Sequence, residues 1–224
     1  MTPTRPSLTC LTDPSALLVV DASTVINLNA TGCAQEILTA LPNPVAVVEA
    51  VPVELAAGRQ RRRDADLLNE LVALNSVRIA QLENMDEPCF EGLVIGPAAV
   101  TLDDGEAATI AYAVSRNGVA LIDERKAIRI CAEQFPKLRV GCTVDVFAHP
   151  AVMDALGQEK LASAVFNALH LGRMRVLSRH LEWVVNLVGN ERARTCMSLP
   201  KSVRLREVSS AQLPNFRGGD EIEI

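Results

Sequence analysis

Four acidic residues occupy positions from which parallel strands and the helices that follow them can bring them together. Asp21 and Asp123 each end an apolar run that is typical of a buried strand, and Glu106 lies at the start of a predicted helix. Glu54 falls in the first turn of another predicted helix, which begins near residue 51. Because the carboxyl ends of parallel strands meet at one edge of a sheet, we expect the four carboxylates to converge there.

Carboxylates that converge repel one another unless a cation is bound between them. The cysteines form no closely spaced pair that would suit a zinc site. The histidines, His149, His170 and His180, show no metal-ligand spacing and are interpreted as surface or packing residues. Ligation by oxygen alone favours Mg²⁺ or Mn²⁺, so the pattern indicates a magnesium or manganese site.

A structural role remains open for each acid taken alone. Carboxylates near helix N-termini are stabilised by the helix dipole, and an Asp that follows a strand commonly caps the next helix. The joint placement of all four acids favours the metal site. Two neighbouring acids, Asp104 and Glu124, are interpreted as solvated caps.

The elements that position these acids alternate between strand and helix. Apolar runs predict strands over residues 17–21, 45–48, 76–80, 119–123 and 138–140. Helical spacing and capping residues predict helices over residues 23–41, from about 51, and over 64–74, 102–116 and 126–135. Residues 83–100, rich in Pro and Gly, are predicted to form a loop. The alternation predicts an α/β fold with a mainly parallel sheet covered on both faces.

Patterning divides the chain into four parts. Residues 1–15 are predicted to form an irregular arm, residues 16–150 the α/β domain, residues 151–206 a helical extension and residues 207–224 a weakly structured acidic tail. The extension contains two amphipathic helices, whose apolar faces should pack on the core or on a second subunit.

Charge is spread unevenly along the chain. The first 155 residues carry 12 basic and 20 acidic side chains, whereas residues 156–206 carry 9 basic and 3 acidic side chains. The basic residues of the extension either neutralise the acidic domain or extend a path for a polyanion, and we expect the former. They include Arg173, Arg175, Arg179, Arg192 and Arg194.

Four segments resemble, in order and with fitting spacing, motifs of the PIN-domain family of metal-dependent nucleases. Within that family they are most similar to VapC-type toxin ribonucleases and related longer bacterial PIN proteins. The segments are LLVVDASTVINL (17–28), VEAVPVEL (48–55), LDDGEAATIA (102–111) and ALIDERKA (120–127). The turn at residues 140–143 resembles the late Gly-Thr turn of the family, with Cys142 inserted. The resemblance covers residues 16–150, and residues 157–190 resemble the helical ending of the longer bacterial proteins.

The resemblance implies a PIN-like three-layer α/β/α sandwich to which a C-terminal helical extension is added. The implied metal ligands and catalytic residues are Asp21, Glu54, Glu106 and Asp123. Glu54 would hold a second ion or orient the attacking water. Ser23 and Thr143 match hydroxyl groups that position the acids.

The activity implied is hydrolysis of RNA by an endoribonuclease that uses Mg²⁺ or Mn²⁺ and leaves a 5′-phosphate and a 3′-hydroxyl. A bound divalent ion lowers the pKa of its water and neutralises charge on a phosphodiester. A toxin of a toxin–antitoxin pair would also bind a cognate antitoxin protein, and PIN proteins that resemble this chain often form homodimers.

An acidic nuclease needs local positive charge to hold a polyanion. A basic run directly follows the helix of Glu54, and it can bind phosphate or remain a solvated charge run. The candidate substrate-binding residues are Arg59, Arg61, Arg62, Arg63 and Arg125.

Composition excludes several classes of protein. An apolar fraction of 49% excludes a disordered chain, and only seven aromatic residues disfavour recognition of single strands by base stacking. The apolar runs are too short to span a membrane and no secretory signal is visible, so a cytoplasmic protein is expected.

Two other functions are alternatives. A non-catalytic PIN-like module would bind RNA or protein, but it would not need four carboxylates together. A phosphotransferase of the haloacid-dehalogenase type also begins with a strand that ends in Asp. That class has a second Asp two residues later, where this chain has Ser23.

Overall fold

A five-stranded sheet forms the centre of the protein in the computed structural model, which describes residues 9–57 and 62–205. Its strands are β1 (Leu18–Val20), β2 (Val45–Val48), β3 (Arg78–Ala80), β4 (Val119–Leu121) and β5 (Arg139–Gly141). They are ordered β3-β2-β1-β4-β5, and all four pairings between them are parallel. The predicted parallel α/β sheet is confirmed.

Helices account for most of the remaining described chain. Between the strands lie α1 (Ala22–Ala30), α2 (Ala34–Ala40), α3 (Ala50–Ala57), α4 (Arg62–Ala73), α5 (Glu87–Val94), α6 (Asp104–Ser115) and α7 (Arg125–Gln134). After the last strand lie α8 (Thr143–Phe147), α9 (Pro150–His170), α10 (Leu181–Val188), α11 (Asn190–Thr195) and α12 (Lys201–Arg204), with a 3-10 turn at Ser178–His180.

Successive strand residues point to opposite faces of the sheet, and each face has its own apolar core. Leu18, Val20 and Leu121 belong to the core that packs against α1 to α4 and α8 to α10. Val19 and Ala120 belong to the core that packs against α5, α6 and α7. The protein is therefore a three-layer α/β/α sandwich, as the resemblance implies.

The extension belongs to the first of these two cores. Buried apolar residues of α9 and α10, such as Leu161, Val165 and Val184, join the same cluster as the strand residues. Helix α9 packs against α1, α2 and α10. Gly157, with φ of 67°, interrupts α9 with a kink that a residue with a side chain would adopt at a cost.

Three expectations about local structure are wrong. The helix predicted over residues 23–41 is interrupted near Gly32, which has φ of 75°, and the segment forms α1 and α2. Residues 87–94, predicted to be part of a loop, form α5. Pro88 occupies the first turn of this helix, where its missing N–H is not needed, and Leu93 is fully buried. Helix α3 begins at Ala50, so Glu54 lies beyond its first turn rather than within it.

The ends of the chain are described only in part. Residues 9–17 contain neither helix nor strand, and Thr9 donates a hydrogen bond of 2.7 Å to the backbone oxygen of Asp145. Residues 1–8 of the predicted arm and the predicted tail at 207–224 lie outside the described residues.

Candidate functional site

Asp21 and Asp123 follow two neighbouring strands. Strands β1 and β4 pair with Val20 opposite Leu121, and the backbone N–H of Asp21 donates to the oxygen of Leu121 at 3.2 Å. Between these strands the chain order of the sheet reverses, which is where open α/β sheets bind their ligands. Both acids are buried, with 2% and 3% of their surface exposed.

Hydrogen-bond donors fix the orientation of both carboxylates. Asp21 caps α1: its Oδ1 accepts from the backbone N–H of Thr24 and its Oδ2 from the hydroxyl of Ser23, both at 2.7 Å. Asp123 accepts from Thr143, through both the backbone N–H at 2.9 Å and the hydroxyl, and from the side-chain amide of Asn27 at 2.6 Å. Asp21 is therefore the N-cap of α1. Its hydrogen bonds come from neutral donors, so they supply no positively charged side chain to pair with the carboxylate.

Glu106 and Glu54 approach from two other helices, Glu106 from the first turn of α6 and Glu54 from the middle of α3. Glu106 interacts electrostatically with Asp21, Asp103 and Glu124. A Cβ atom added to Gly105 would lie 2.5 Å from Oε2 of Glu54, so the missing side chain of Gly105 makes room for this carboxylate beside Glu106. The structure thus brings all four predicted acids to one region of the sheet edge.

Burial raises the pKa of three of these acids, and repulsion from neighbouring carboxylates adds to each shift. Burial, with repulsion from Asp123, raises the pKa of Asp21 to about 6. Burial, with repulsion from Asp21 and other carboxylates, raises the pKa of Glu106 to about 7. Burial also raises the pKa of Asp123, although the hydrogen bonds from Thr143 and Asn27 oppose this shift. Within the described chain no Lys or Arg forms an ion pair with Asp21, Glu106 or Asp123.

Two clefts open beside these acids. The first, of about 830 Å³, has Glu54, Asp103 and Asp104 among apolar side chains such as Val53 and Phe90. The second, of about 550 Å³, is mostly polar and is lined by residues that include Ser23, Asn27, Asp64, Asp123, Glu124, Arg173 and Arg175.

The predicted substrate-binding arginines are dispersed. Arg59 and Arg61 lie outside the described residues. Arg62 and Arg63 are exposed at the start of α4, and Arg125 is exposed at the first position of α7. None of these three forms an ion pair with another described residue, so their side chains are available to a polyanion.

A second cluster, formed by Cys142, Asp145 and His180, lies after β5. The three side chains are buried, and their potential ligand atoms lie within 4.8 Å of one another. Both oxygens of Asp145 already accept hydrogen bonds, Oδ1 from the backbone N–H of Cys10 at 3.1 Å and Oδ2 from that of Cys142 at 2.9 Å. The guanidinium of Arg179 donates to Oδ2 at 3.0 Å, and its positive charge opposes a cation there. We interpret the cluster as a structural junction between the turn after β5 and the extension.

Two participants were missed from the sequence. Asn27, which holds Asp123, stands four residues after Ser23, so the two side chains share a face of α1; this polar pair on a largely apolar helix was a usable signal. Asp145 gave no comparable signal, because its partners Cys10 and His180 are distant in the chain.

One comparison with known proteins identifies the family of the chain. A family model, DUF3368, which is described as a PIN domain, matches residues 17–190. The chain belongs to the PIN-domain family. PIN domains are generally nucleases, use divalent metals and bind nucleic acids. The matched residues include α9 and α10, the first two helices of the extension.

Neither the curated proteins nor the solved structures contain a significant match to this PIN domain. No helix among the described residues combines the length and the apolar character that crossing a membrane requires.

Proposed function

We propose that this PIN domain is a metal-dependent endoribonuclease. Its metal ligands would be Asp21, Glu106 and Asp123, with Mg²⁺ or Mn²⁺ as the ion. The observation that carries the proposal is the pair of buried carboxylates, Asp21 and Asp123, at the point where the strand order reverses, with Glu106 close to Asp21. Hydrogen bonds hold the two aspartates in place, and none of the three acids forms an ion pair with a Lys or Arg among the described residues.

The donor set fits a hard divalent cation. All the candidate ligands are carboxylate oxygens, which suit Mg²⁺ and Mn²⁺. Burial and repulsion from neighbouring carboxylates raise the pKa of Asp21 and Glu106, and a bound cation would oppose both effects and favour the ionised forms. Thr143 and Asn27 donate hydrogen bonds that fix the orientation of the Asp123 carboxylate, as the hydrogen-bond partners of metal ligands do.

In the proposed reaction a water molecule adds to the phosphorus of an RNA phosphodiester, and the bond from phosphorus to the 3′-oxygen breaks. The 3′-oxygen takes up a proton, so the products are a 5′-phosphate and a 3′-hydroxyl. When bound, the divalent ion supplies an activated water and neutralises charge on the phosphate. Asp21, Glu106 and Asp123 would hold that ion with their carboxylates, and Glu54 would hold a second ion or orient the attacking water.

The test is incubation of the purified protein with mixed RNAs in Mg²⁺, in Mn²⁺ and in EDTA. Cleavage in either metal that EDTA abolishes, with 5′-phosphate termini on the products, is the expected result. Binding of RNA without any cleavage would instead support a non-catalytic RNA-binding module.

We propose further that the nuclease acts in the cytoplasm as the toxin of a toxin–antitoxin pair, bound by a cognate antitoxin when inactive and able to form a homodimer. The support is the resemblance to VapC-type toxins, since PIN domains often pair with antitoxins. Induced expression in a bacterial host should arrest growth, and the Asp21→Asn variant should not. Growth arrest by both proteins would contradict the toxin role.

A further inference from the structure

A strap formed by residues 171–177, which contain neither helix nor strand, runs from the end of α9 to the 3-10 turn and borders the second cleft. Met174 and Val176 are buried in the core, whereas Arg173 and Arg175, which alternate with them along the chain, are exposed. This alternation anchors the strap through its apolar residues and directs its two arginines outward. The backbone N–H of Met174 donates to the oxygen of Ala168 at 2.9 Å, which fixes the start of the strap on α9.

The strap passes very close to the group that holds Asp123. A Cβ atom on Gly172 would lie 2.8 Å from the side-chain oxygen of Asn27, whose amide group donates to Asp123. Only glycine permits this approach without displacing Asn27. The neighbouring Arg173 has φ of 56°, a left-handed conformation that costs energy for a residue with a side chain. The backbone is therefore locally strained at Arg173, where the strap borders the cleft.

The two arginines differ in their partners. Arg175 forms an ion pair with Glu124, the residue after Asp123, and the two side chains are 56% and 35% exposed to solvent. Such an exposed pair is weak, so a phosphate group can take the place of Glu124. Arg173 forms no ion pair with any described residue. Both line the same cleft as Asp123, and they place positive charge beside an otherwise acidic site.

We propose that Arg173 and Arg175 bind the phosphate backbone of single-stranded RNA in the second cleft, adjacent to the scissile phosphodiester. The inference rests on the proposed ribonuclease function. It assigns substrate binding to the extension, whose basic residues were expected chiefly to neutralise the acidic domain. Arginine suits this role because its planar guanidinium donates two parallel hydrogen bonds to a phosphate.

The test measures binding of a short fluorescein-labelled single-stranded RNA of mixed sequence by fluorescence anisotropy, in Mg²⁺ and over a range of salt concentrations. Every protein compared carries Asp21→Asn, so that the RNA stays intact. The Arg173→Gln, Arg175→Gln double variant should bind more weakly at low salt. The slope of log affinity against log salt should become shallower by about 1.4, since each phosphate contact to a single strand contributes about 0.7.

A matched control replaces Arg192 and Lys201 by Gln. Both are exposed residues of the extension that do not line the second cleft, and the total charge changes by the same amount. The control should keep the original slope, and thermal melts should show that both double variants remain folded. An unchanged slope in the Arg173, Arg175 variant, equal losses in the control, or no RNA binding before either change would overturn the proposal.

The experiments distinguish failure of the proposed ribonuclease function from failure of the proposed RNA binding by the strap. If the protein with native Asp21 cleaves RNA but the Arg173, Arg175 variant binds normally, the ribonuclease stands and the strap assignment is wrong. If the slope changes as expected but the native protein never cleaves RNA, the strap assignment stands and the catalytic function is wrong.

Discussion

The Nε2 atom of His180 lies 3.5 Å from Oδ1 of Asp145, which joins the extension to the turn after β5. Both side chains are almost fully buried. The same turn carries Thr143, whose backbone and hydroxyl hold Asp123. Asp145 also accepts from the backbone N–H of Cys142 and thereby closes this turn. The position of a candidate metal ligand therefore depends on a carboxylate that the extension helps to fix.

Asp145→Asn should destabilise the protein in a pH-dependent way. Burial alone would raise the pKa of Asp145, but the hydrogen bonds from His180 and Cys142 hold it well below its ordinary value of 3.8. A lowered pKa means that the ionised form is favoured by folding. Its contribution is present above the ordinary pKa and is lost as the pH falls through the lower value in the folded protein.

At neutral pH we expect Asp145→Asn to reduce the free energy of unfolding by about 2 kcal/mol, the scale of buried charged hydrogen bonds left unmade. Urea unfolding at a series of pH values should show this difference narrowing below about pH 4. Asp154→Asn, at an exposed position of α9, is the control and should change nothing. A difference that stays constant down to low pH would show that the charge of Asp145 is not what stabilises the turn.

Thr143→Val should weaken the metal site while preserving its shape. The substitution removes the hydroxyl that donates to Asp123 and keeps the backbone donor. Loss of a group that orients a metal ligand costs about 10- to 100-fold in metal affinity or activity, so the Mn²⁺ concentration for half-maximal cleavage should rise.

Thr109→Val is a matched control for that change. Thr109 is fully buried on α6, and its hydroxyl finds no hydrogen-bond partner among the described residues. Its replacement should leave the metal dependence unaltered and stability equal or improved, since a buried unpaired hydroxyl is removed. Equal shifts in metal dependence for the two variants would contradict a specific role for Thr143.

More of the fold than of the candidate site could be predicted from the sequence. Apolar runs that end at Asp21 and Asp123 were enough to predict two buried parallel strands, because an apolar run reflects the burial of its own residues. That these two strands are neighbours is known only from the structure. The pairing of Asn27 with Asp123 and the approach of Gly172 to Asn27 arise from contacts between distant segments, which no local pattern encodes. Helix α5 was missed because Pro88 suits both a loop and the first turn of a helix.

Asp21→Asn should abolish both cleavage and stabilisation by metal. Asn keeps the shape of the side chain but removes a charged ligand, so cleavage should fall by at least about a hundredfold. Mn²⁺ at about 100 times its Kd should raise the Tm of the native protein by about 5 to 10 °C, and the variant should lose this shift. Asp104→Asn, at an exposed acid of the same region, should retain both properties. Undiminished cleavage by Asp21→Asn, or cleavage in EDTA, would contradict the assignment.

Removal of the extension should expose the core rather than release an independent domain. A protein cut after residue 155 lacks Leu161, Val165 and Val184, which are buried in the same cluster as the residues of β1 and β4. It also lacks His180, which contacts Asp145. Such an exposed apolar face favours aggregation. We expect the shorter protein to aggregate in size-exclusion chromatography, and a protein cut after residue 206 to stay monodisperse and active. A monomeric and fully active 1–155 fragment would show that the extension neither completes the core nor contributes to RNA binding.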